Sequence, residues 1–399
     1  NTMLLKILVI CPFFVVLLHQ SYSQSDEPCV TPEGHRASCT PVMHCPPILG
    51  ILNNAPRPLP QNIVTYLQRL QCFHSTGQPA VCCRRPSVVN TPAPVNPAPV
   101  TPSPVSNVDV VSNDIPNGPT DVSRHPNLSL LPQTICGPIL GDKLAFGEKT
   151  SLFEYPWMSL IRYEVSDGFA FKCGGSLVTD RYVLTAAHCI ARLRSGITVY
   201  SVVLGEYDTR TETDCQTLGD EEICSPPAQE ILQEAILPHP SYNTPKFAND
   251  IGLIRLRESA DMTRENIKPV CLPYLPQLQS MNLRRLVATG WGTTENQTRS
   301  NELLKVSLPV VDNARCQKAF TSLQWTPNQF CAGGENNVDT CKGDSGGPLV
   351  FPGNARGQRY IQFGIVSAGL NSCGVSNGTP AVYVRVANYM KWILDTIRP

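Results

Sequence analysis

The chain has no surplus of either charge: 32 Lys and Arg stand against 32 Asp and Glu over 399 residues. Such a balance does not gather a protein on a phosphate backbone or an anionic bilayer, so nucleic acid is not an expected partner. It also lacks an apolar run of the roughly 20 residues needed to span a membrane. Its longest apolar run, Ile7 to Leu18, follows Lys6 and precedes the small residues Ser21 and Ser23. That is the layout of an export signal, so translation is expected to start at Met3, residues 1–23 to be removed and the mature chain to be secreted. A third absence is the CxxC spacing of zinc sites, and the adjacent Cys82 and Cys83 cannot easily hold one ion tetrahedrally. Of the 17 cysteines, Cys11 lies in the signal. The even remainder is expected to pair as disulfides in an oxidising compartment.

Composition divides the mature chain. Residues 29–83 carry six cysteines, a density typical of a small domain that needs cross-links to make up for a small core. Residues 84–135 hold eleven prolines in runs such as TPAPVNPAPVTPSPV and read as an extended linker. From Cys136 onward, short alternating runs such as FKCGGSLVTDRYVLTAAHC and LLKVSLPVV, broken by Gly, Pro and Asn, predict an all-β domain. Only Asn388 to Ile397 places Tyr389, Trp392, Ile393 and Leu394 at helical spacing, which predicts a single C-terminal helix.

A hydrolase without a metal needs a nucleophile, a base and a group that orients the base. Of the seven histidines, His19 is in the signal, His35, His44 and His74 are in the cysteine-rich segment, and His125 is in the linker. His239, between prolines, reads as a surface turn. His188, in LTAAHC beside a cysteine, remains as the candidate base.

The segments LTAAHC, NDIGLIRL and DTCKGDSGGPLV, in that order, resemble the chymotrypsin-trypsin family of serine proteases over residues 144–399. The resemblance implies two antiparallel six-stranded β-barrels and no required cofactor. It also implies His188 as general base, Asp250 as its orienting carboxylate and Ser345 as nucleophile. The residues suit those roles, since a glycine-rich turn can present Ser345 and let the Gly343 and Ser345 N–H groups cradle an oxyanion. By the same resemblance Asp339 lies at the base of the primary specificity pocket and selects Arg or Lys, and Gly369 forms a pocket wall. Ala381 in TPAVY replaces the usual Gly, so its methyl group is expected to favour Arg over Lys.

The spacing of Cys29, Cys39, Cys45, Cys72, Cys82 and Cys83 is similar to that of the clip domain of arthropod cascade proteases. Six cysteines allow 15 pairings. The resemblance implies Cys29–Cys82, Cys39–Cys72 and Cys45–Cys83, then Cys173–Cys189, Cys316–Cys331 and Cys341–Cys373 in the large domain. Cys136–Cys271 would join the two chains of a cleaved form, and Cys215–Cys224 would close an insertion. The implied partners are an upstream activating protease, a precursor substrate such as prophenoloxidase or a Spätzle-like pro-cytokine, and serpin inhibitors. A clip homologue that regulates without cleaving is the alternative, but such chains typically lose the nucleophile, and here all three triad positions stand.

Two smaller signals leave their readings open. Glu206 matches the start of a loop that binds structural calcium in some relatives, with Asp208 and Asp214 nearby, though an acidic surface loop explains the three equally well. Asn127, Asn296 and Asn377 each begin an N-x-S/T glycosylation sequon. Finally, EYPWM resembles the family's EFPWM, and counting back from it places an activating cut between Lys143 and Leu144. The family's mechanism would then pair the new α-amine with Asp344. Leu144 can fill a slot built for Ile at small cost, whereas Phe146 replaces a flexible Gly beside Gly147.

Overall fold

The computed structural model describes residues 27–31, 36–45, 47–48, 66–67, 70–73, 79–83, 119–139, 149–218, 221–294, 298–321, 323–334, 340, 343–368 and 379–399. The chain separates into two compact units, residues 1–93 and 94–399. The first contains β1 (Glu27–Val30), β2 (Arg36–Pro41), β3 (Gln71–Phe73) and β4 (Pro79–Cys83), in the antiparallel order β1-β2-β4-β3. Its core is little more than Cys45, Ile48, Leu70, Val81, Cys82 and Cys83. So small a cluster offsets little conformational entropy, and three disulfides (Cys29–Cys82, Cys39–Cys72 and Cys45–Cys83) tie the strands together.

The second unit is built on two closed antiparallel barrels, as the resemblance implies. The first barrel uses β5 (Met158–Val165), β6 (Gly168–Thr179), β7 (Tyr182–Thr185) and, after helix α1 (Ala187–Ile190), β8 (Thr198–Leu204). A hairpin of β9 (Cys215–Leu218) and β10 (Glu221–Cys224), closed by Cys215–Cys224, interrupts it. Strands β11 (Gln229–Pro238) and β12 (Gly252–Leu256) then complete the ring in the order β11-β12-β7-β6-β5-β8. Buried residues of these strands, among them Leu160, Leu177, Leu184, Val202, Leu253 and Ile254, belong to one apolar cluster.

After the one-turn helix α2 (Pro276–Gln279), the second barrel begins with β13 (Arg285–Gly290) and β14 (Leu304–Val311). Helix α3 (Asn313–Ala319) follows, capped by Asp312, whose carboxylate accepts the Arg315 N–H. Strands β15 (Gln329–Ala332), β16 (Pro348–Asn354), β17 (Gln358–Ala368) and β18 (Ala381–Arg385) close the ring as β13-β14-β15-β18-β17-β16. The predicted C-terminal helix is a 3-10 turn at Val386–Tyr389 followed by α4 (Met390–Thr396). Its apolar face, Met390, Ile393 and Leu394, joins the core cluster of the first barrel. It is not the unit's single helix, because α1, α2 and α3 are turns of four to seven residues, too short to show a 3.6-residue period.

The expected linker also ends earlier than its composition suggests. Residues 119–139 pack on the second unit: Val122 and Leu131 are buried in the first barrel's cluster, and Cys136 is bonded to Cys271. Gly137 sits at φ +56°, donates to Pro269 O (2.7 Å) and accepts from Tyr360 N–H (2.9 Å); any Cβ there would enter the Tyr360 backbone. Prolines continue through this stretch at Pro119, Pro126, Pro132 and Pro138, but the apolar Val122, Leu128, Leu130 and Leu131 give it something to bury.

Candidate active site

His188 lies on α1, directly after the edge of β7, and Asp250 closes the loop that leads into β12. That loop is held by its own polar side chains. Asn249, at φ +56°, donates from its amide to Ser241 O (3.0 Å) and Thr244 O (3.2 Å) and accepts from the buried Tyr389 hydroxyl (2.8 Å). Asn tolerates that left-handed conformation better than most residues. Asp250 is thereby fixed, 5% exposed, with both oxygens engaged. One oxygen accepts the His188 backbone N–H (2.8 Å); the other accepts the His188 Nδ1 proton (2.7 Å) and the Ser367 hydroxyl (2.6 Å). Because a carboxylate only accepts, the ring proton sits on Nδ1 and Nε2 is left unprotonated. Burial pulls the His188 pKa down, but the hydrogen bond and charge of Asp250 outweigh it, and the net shift is upward from the ordinary imidazole value.

Ser345 sits in a turn shaped by two glycines with positive φ, Gly343 (+106°) and Gly346 (+80°). At Gly346 a Cβ would strike the Thr185 hydroxyl and the Gly174 carbonyl, so only glycine fits. The turn is tied to His188 and to Asp250 by separate routes. Ser345 O accepts from Gly174 N–H (2.9 Å), whose neighbour Cys173 is disulfide-bonded to Cys189, next to His188. Gly346 N–H bonds Val366 O (2.9 Å), one residue before the Ser367 that donates to Asp250. Among the described residues, the Gly343 and Ser345 N–H groups have no internal acceptor. The arrangement therefore offers two backbone donors beside a hydroxyl, with an oriented imidazole held by the same scaffold.

Asp344 points away from this turn. Its carboxylate accepts the Gly292 N–H (2.8 Å) and fills the space beside Gly290 and Gly292, where a Cβ on either glycine would collide with it. Sequence reasoning alone misses these two glycines, along with Gly174 and Ser367. The GWG of TGWGTT is the visible signal for Gly292; Ser367 and Gly174 have only long-range partners and no local motif.

Ala381 is buried on β18, opposite Ala332. Asp339, Gly369, Lys143, Leu144, Asn296, Asn377 and the Cys341–Cys373 pair lie outside the described residues, as do residues 1–23. The other seven disulfides are formed, including Cys316–Cys331. Cys173, Cys189 and His188 group as three close metal-ligand types, but the two sulfurs are bonded to each other. In the Glu206 loop, Asp208 is paired with Arg210 (2.5 Å), while Glu206 and the buried Asp214 both accept the Tyr207 N–H (3.0 Å each). Burial, then the Asp214 charge, pushes Glu206 up to about 7, with the Tyr207 bond pulling back. No helix among the described residues is long and apolar enough to cross a membrane.

Comparison with known proteins agrees with this fold. The trypsin family profile matches residues 145–393, and that of the regulatory CLIP domain of proteinases matches residues 29–83. The CLIP domain-containing serine protease B10 of Anopheles gambiae is 36% identical over 94% of this chain and 95% of its own length. Phenoloxidase-activating factor 3 of Holotrichia diomphalia is 41% identical over 68% of this chain and 77% of its own. The crystal structure of the Drosophila Grass clip serine protease of the Toll pathway superposes with a TM-score of 0.62 at 32% identity, covering 93% of this chain and 97% of that one. With two closed barrels, a CLIP unit and relatives aligned nearly end to end, the chain belongs to the trypsin family of serine proteases, in its CLIP-domain branch.

Proposed function

We propose that the protein is the secreted zymogen of a trypsin-like endopeptidase that, once cut between Lys143 and Leu144, cleaves protein precursors after Arg or Lys in an extracellular cascade. The observation that carries this reading is the fully engaged Asp250–His188 pair, on the same scaffold as the Ser345 turn. In the proposed reaction Ser345 Oγ attacks the scissile carbonyl while His188 Nε2 takes its proton. The oxyanion collects the Gly343 and Ser345 N–H groups, and the His188 proton then passes to the leaving amine. Water repeats the attack on the acyl-enzyme and restores Ser345. Asp250 holds the imidazole and stabilises its charged form.

The names of the relatives support the setting: one activates phenoloxidase and another acts in the Toll pathway. Precursors of those two kinds are the proposed substrates, serpins the proposed inhibitors, and another trypsin-like protease the proposed activator. Asp339 would supply the buried carboxylate for Arg or Lys, and the Ala381 methyl group would favour Arg. Incubating the activated protein with candidate precursors and sequencing the new N-termini tests the specificity. Cuts after Arg, fewer after Lys, are expected; cuts after aromatic residues would remove the reading.

The His188 environment sets a pH dependence. The base must be neutral to accept a proton, and its pKa is raised. The acid limb of the kcat/KM profile is therefore expected above the ordinary imidazole value of about 6.5. A limb at or below that value would contradict the assignment.

A structural calcium ion in the Glu206 loop is the remaining proposal, held by Glu206 and Asp214 and needed for no catalytic step. The donor set fits, because two half-buried or buried carboxylates share one N–H, and the Asp214 charge adds to burial in raising the proton affinity of Glu206. A carboxyl raised to about 7 in the folded state contributes stability below its unfolded value of 4.5 and loses it as pH rises through about 7. Calcium is thus expected to raise the melting temperature at pH 8 in the parent protein and to have no effect on Glu206→Gln, which should itself melt higher than the calcium-free parent. An equal calcium response in both proteins would count against the site.

A further inference from the structure

Asn127 begins the sequon Asn127-Leu128-Ser129, yet its side-chain amide is already in use. Helix α4 ends at Thr396 with no basic residue in its last turn, and the carbonyls of a helix C-terminus need donors from elsewhere. Asn127 supplies them across 267 residues of sequence: Nδ2 donates to Leu394 O (2.8 Å) and to Ile397 O (3.3 Å). Around this clamp, His125 Nε2 lies 2.9 Å from Asp395 Oδ1, and Val122 and Leu131 are buried on either side. Ser129 stays exposed, and its hydroxyl donates to Pro126 O.

Attachment of an N-glycan replaces one of the two amide hydrogens. The sugar's bond to a polyprenyl pyrophosphate breaks, a bond from the same carbon to Nδ2 forms, and the displaced proton leaves with the pyrophosphate. Two carbonyl oxygens lie 2.8 and 3.3 Å from Asn127 Nδ2. With a C–N single bond of about 1.45 Å, a sugar carbon placed along either hydrogen bond would stand within about 2 Å of the acceptor oxygen, far inside contact distance. Asn127 is also synthesised long before Leu394, so a transferase acting on the growing chain meets it before the acceptor carbonyls exist.

We infer that glycosylation of Asn127 and docking of the 119–131 stretch on α4 are mutually exclusive. The sequon thus selects between a segment clamped on α4 and one held to the catalytic unit through Cys136–Cys271. The inference does not depend on proteolytic activity. It is tested on the full secreted chain, with Asn127 occupancy read by peptide mass and hydrogen exchange followed over residues 119–131 and 390–399. The unglycosylated fraction and Ser129→Ala, which removes the sequon but keeps the amide, are expected to be protected. The glycosylated fraction is expected to exchange at least about tenfold faster in both stretches, from the loss of two hydrogen bonds. Asn127→Asp, which can neither carry the sugar nor donate, is expected to match it. Glycosylated chains protected as well as Ser129→Ala would overturn the inference. If the secreted chain carries no glycan at Asn127, the Asn127→Asp protein decides, and unchanged protection there overturns it equally.

Discussion

Replacing Ser345 by alanine in the cleaved protein is expected to lower kcat/KM for arginyl amides by roughly 10⁴- to 10⁶-fold, the scale of losing a nucleophile that acts as one unit with its base. The residual rate would come from the backbone donors and from binding alone. The change is small and local. Ser345 makes its framework contact through the backbone carbonyl, to Gly174 N–H, and the turn is shaped by Gly343 and Gly346. Substrate binding and melting temperature should therefore change little while turnover collapses. Asp250→Asn should lose about 10⁴-fold, because an amide in place of the carboxylate can donate and no longer fixes the Nδ1–H tautomer. Equal rates in the parent and Ser345→Ala would end the catalytic reading.

The second large effect concerns the switch. Lys143→Gln, treated with the activator that cuts the parent, is expected to stay at least about 10³-fold less active, the order of losing oxyanion donors. By the proposed mechanism the α-amine of Leu144 must pair with Asp344, which adjoins Ser345 and so sets the donor N–H groups. The observed position of Asp344 supports a second, more discriminating variant. Its carboxylate occupies a cleft that exists only because residues 290 and 292 have no Cβ. Gly292→Ala should be cut at Lys143 at the normal rate yet remain poorly active, since the methyl group displaces the carboxylate. Full activity in that variant would show that the position of Asp344 is immaterial.

Much of the fold and of the candidate site was legible in the sequence because the site is built on local turns. LTAAHC, NDIGLIRL and GDSGG each put a functional side chain on a short segment whose neighbours dictate its conformation, and the two barrels follow from the same family resemblance. The contacts that hold those segments together were not legible. Ser367 reaches Asp250 across 117 residues, and Gly174 reaches Ser345 from another barrel, so no window of sequence contains both partners. The 119–139 segment was hidden for a different reason. Proline content marked it as linker, while its worth lies in a few apolar residues and one amide that find their surface only after α4 has folded. The short helices α1 to α3 escaped because four to seven residues are too few to show a helical period.

The claim at the centre is that a single serine becomes reactive when the chain is cut after Lys143. A fluorophosphonate that acylates activated serines measures it directly, applied to the uncut and the cut protein, with the labelled peptide and the new N-terminus identified in the same digest. The expected result is strong labelling of Ser345 alone, only in chains whose catalytic fragment begins Leu-Ala-Phe-Gly. Labelling of uncut chains to the same extent, or of cut chains at another residue, would contradict the account.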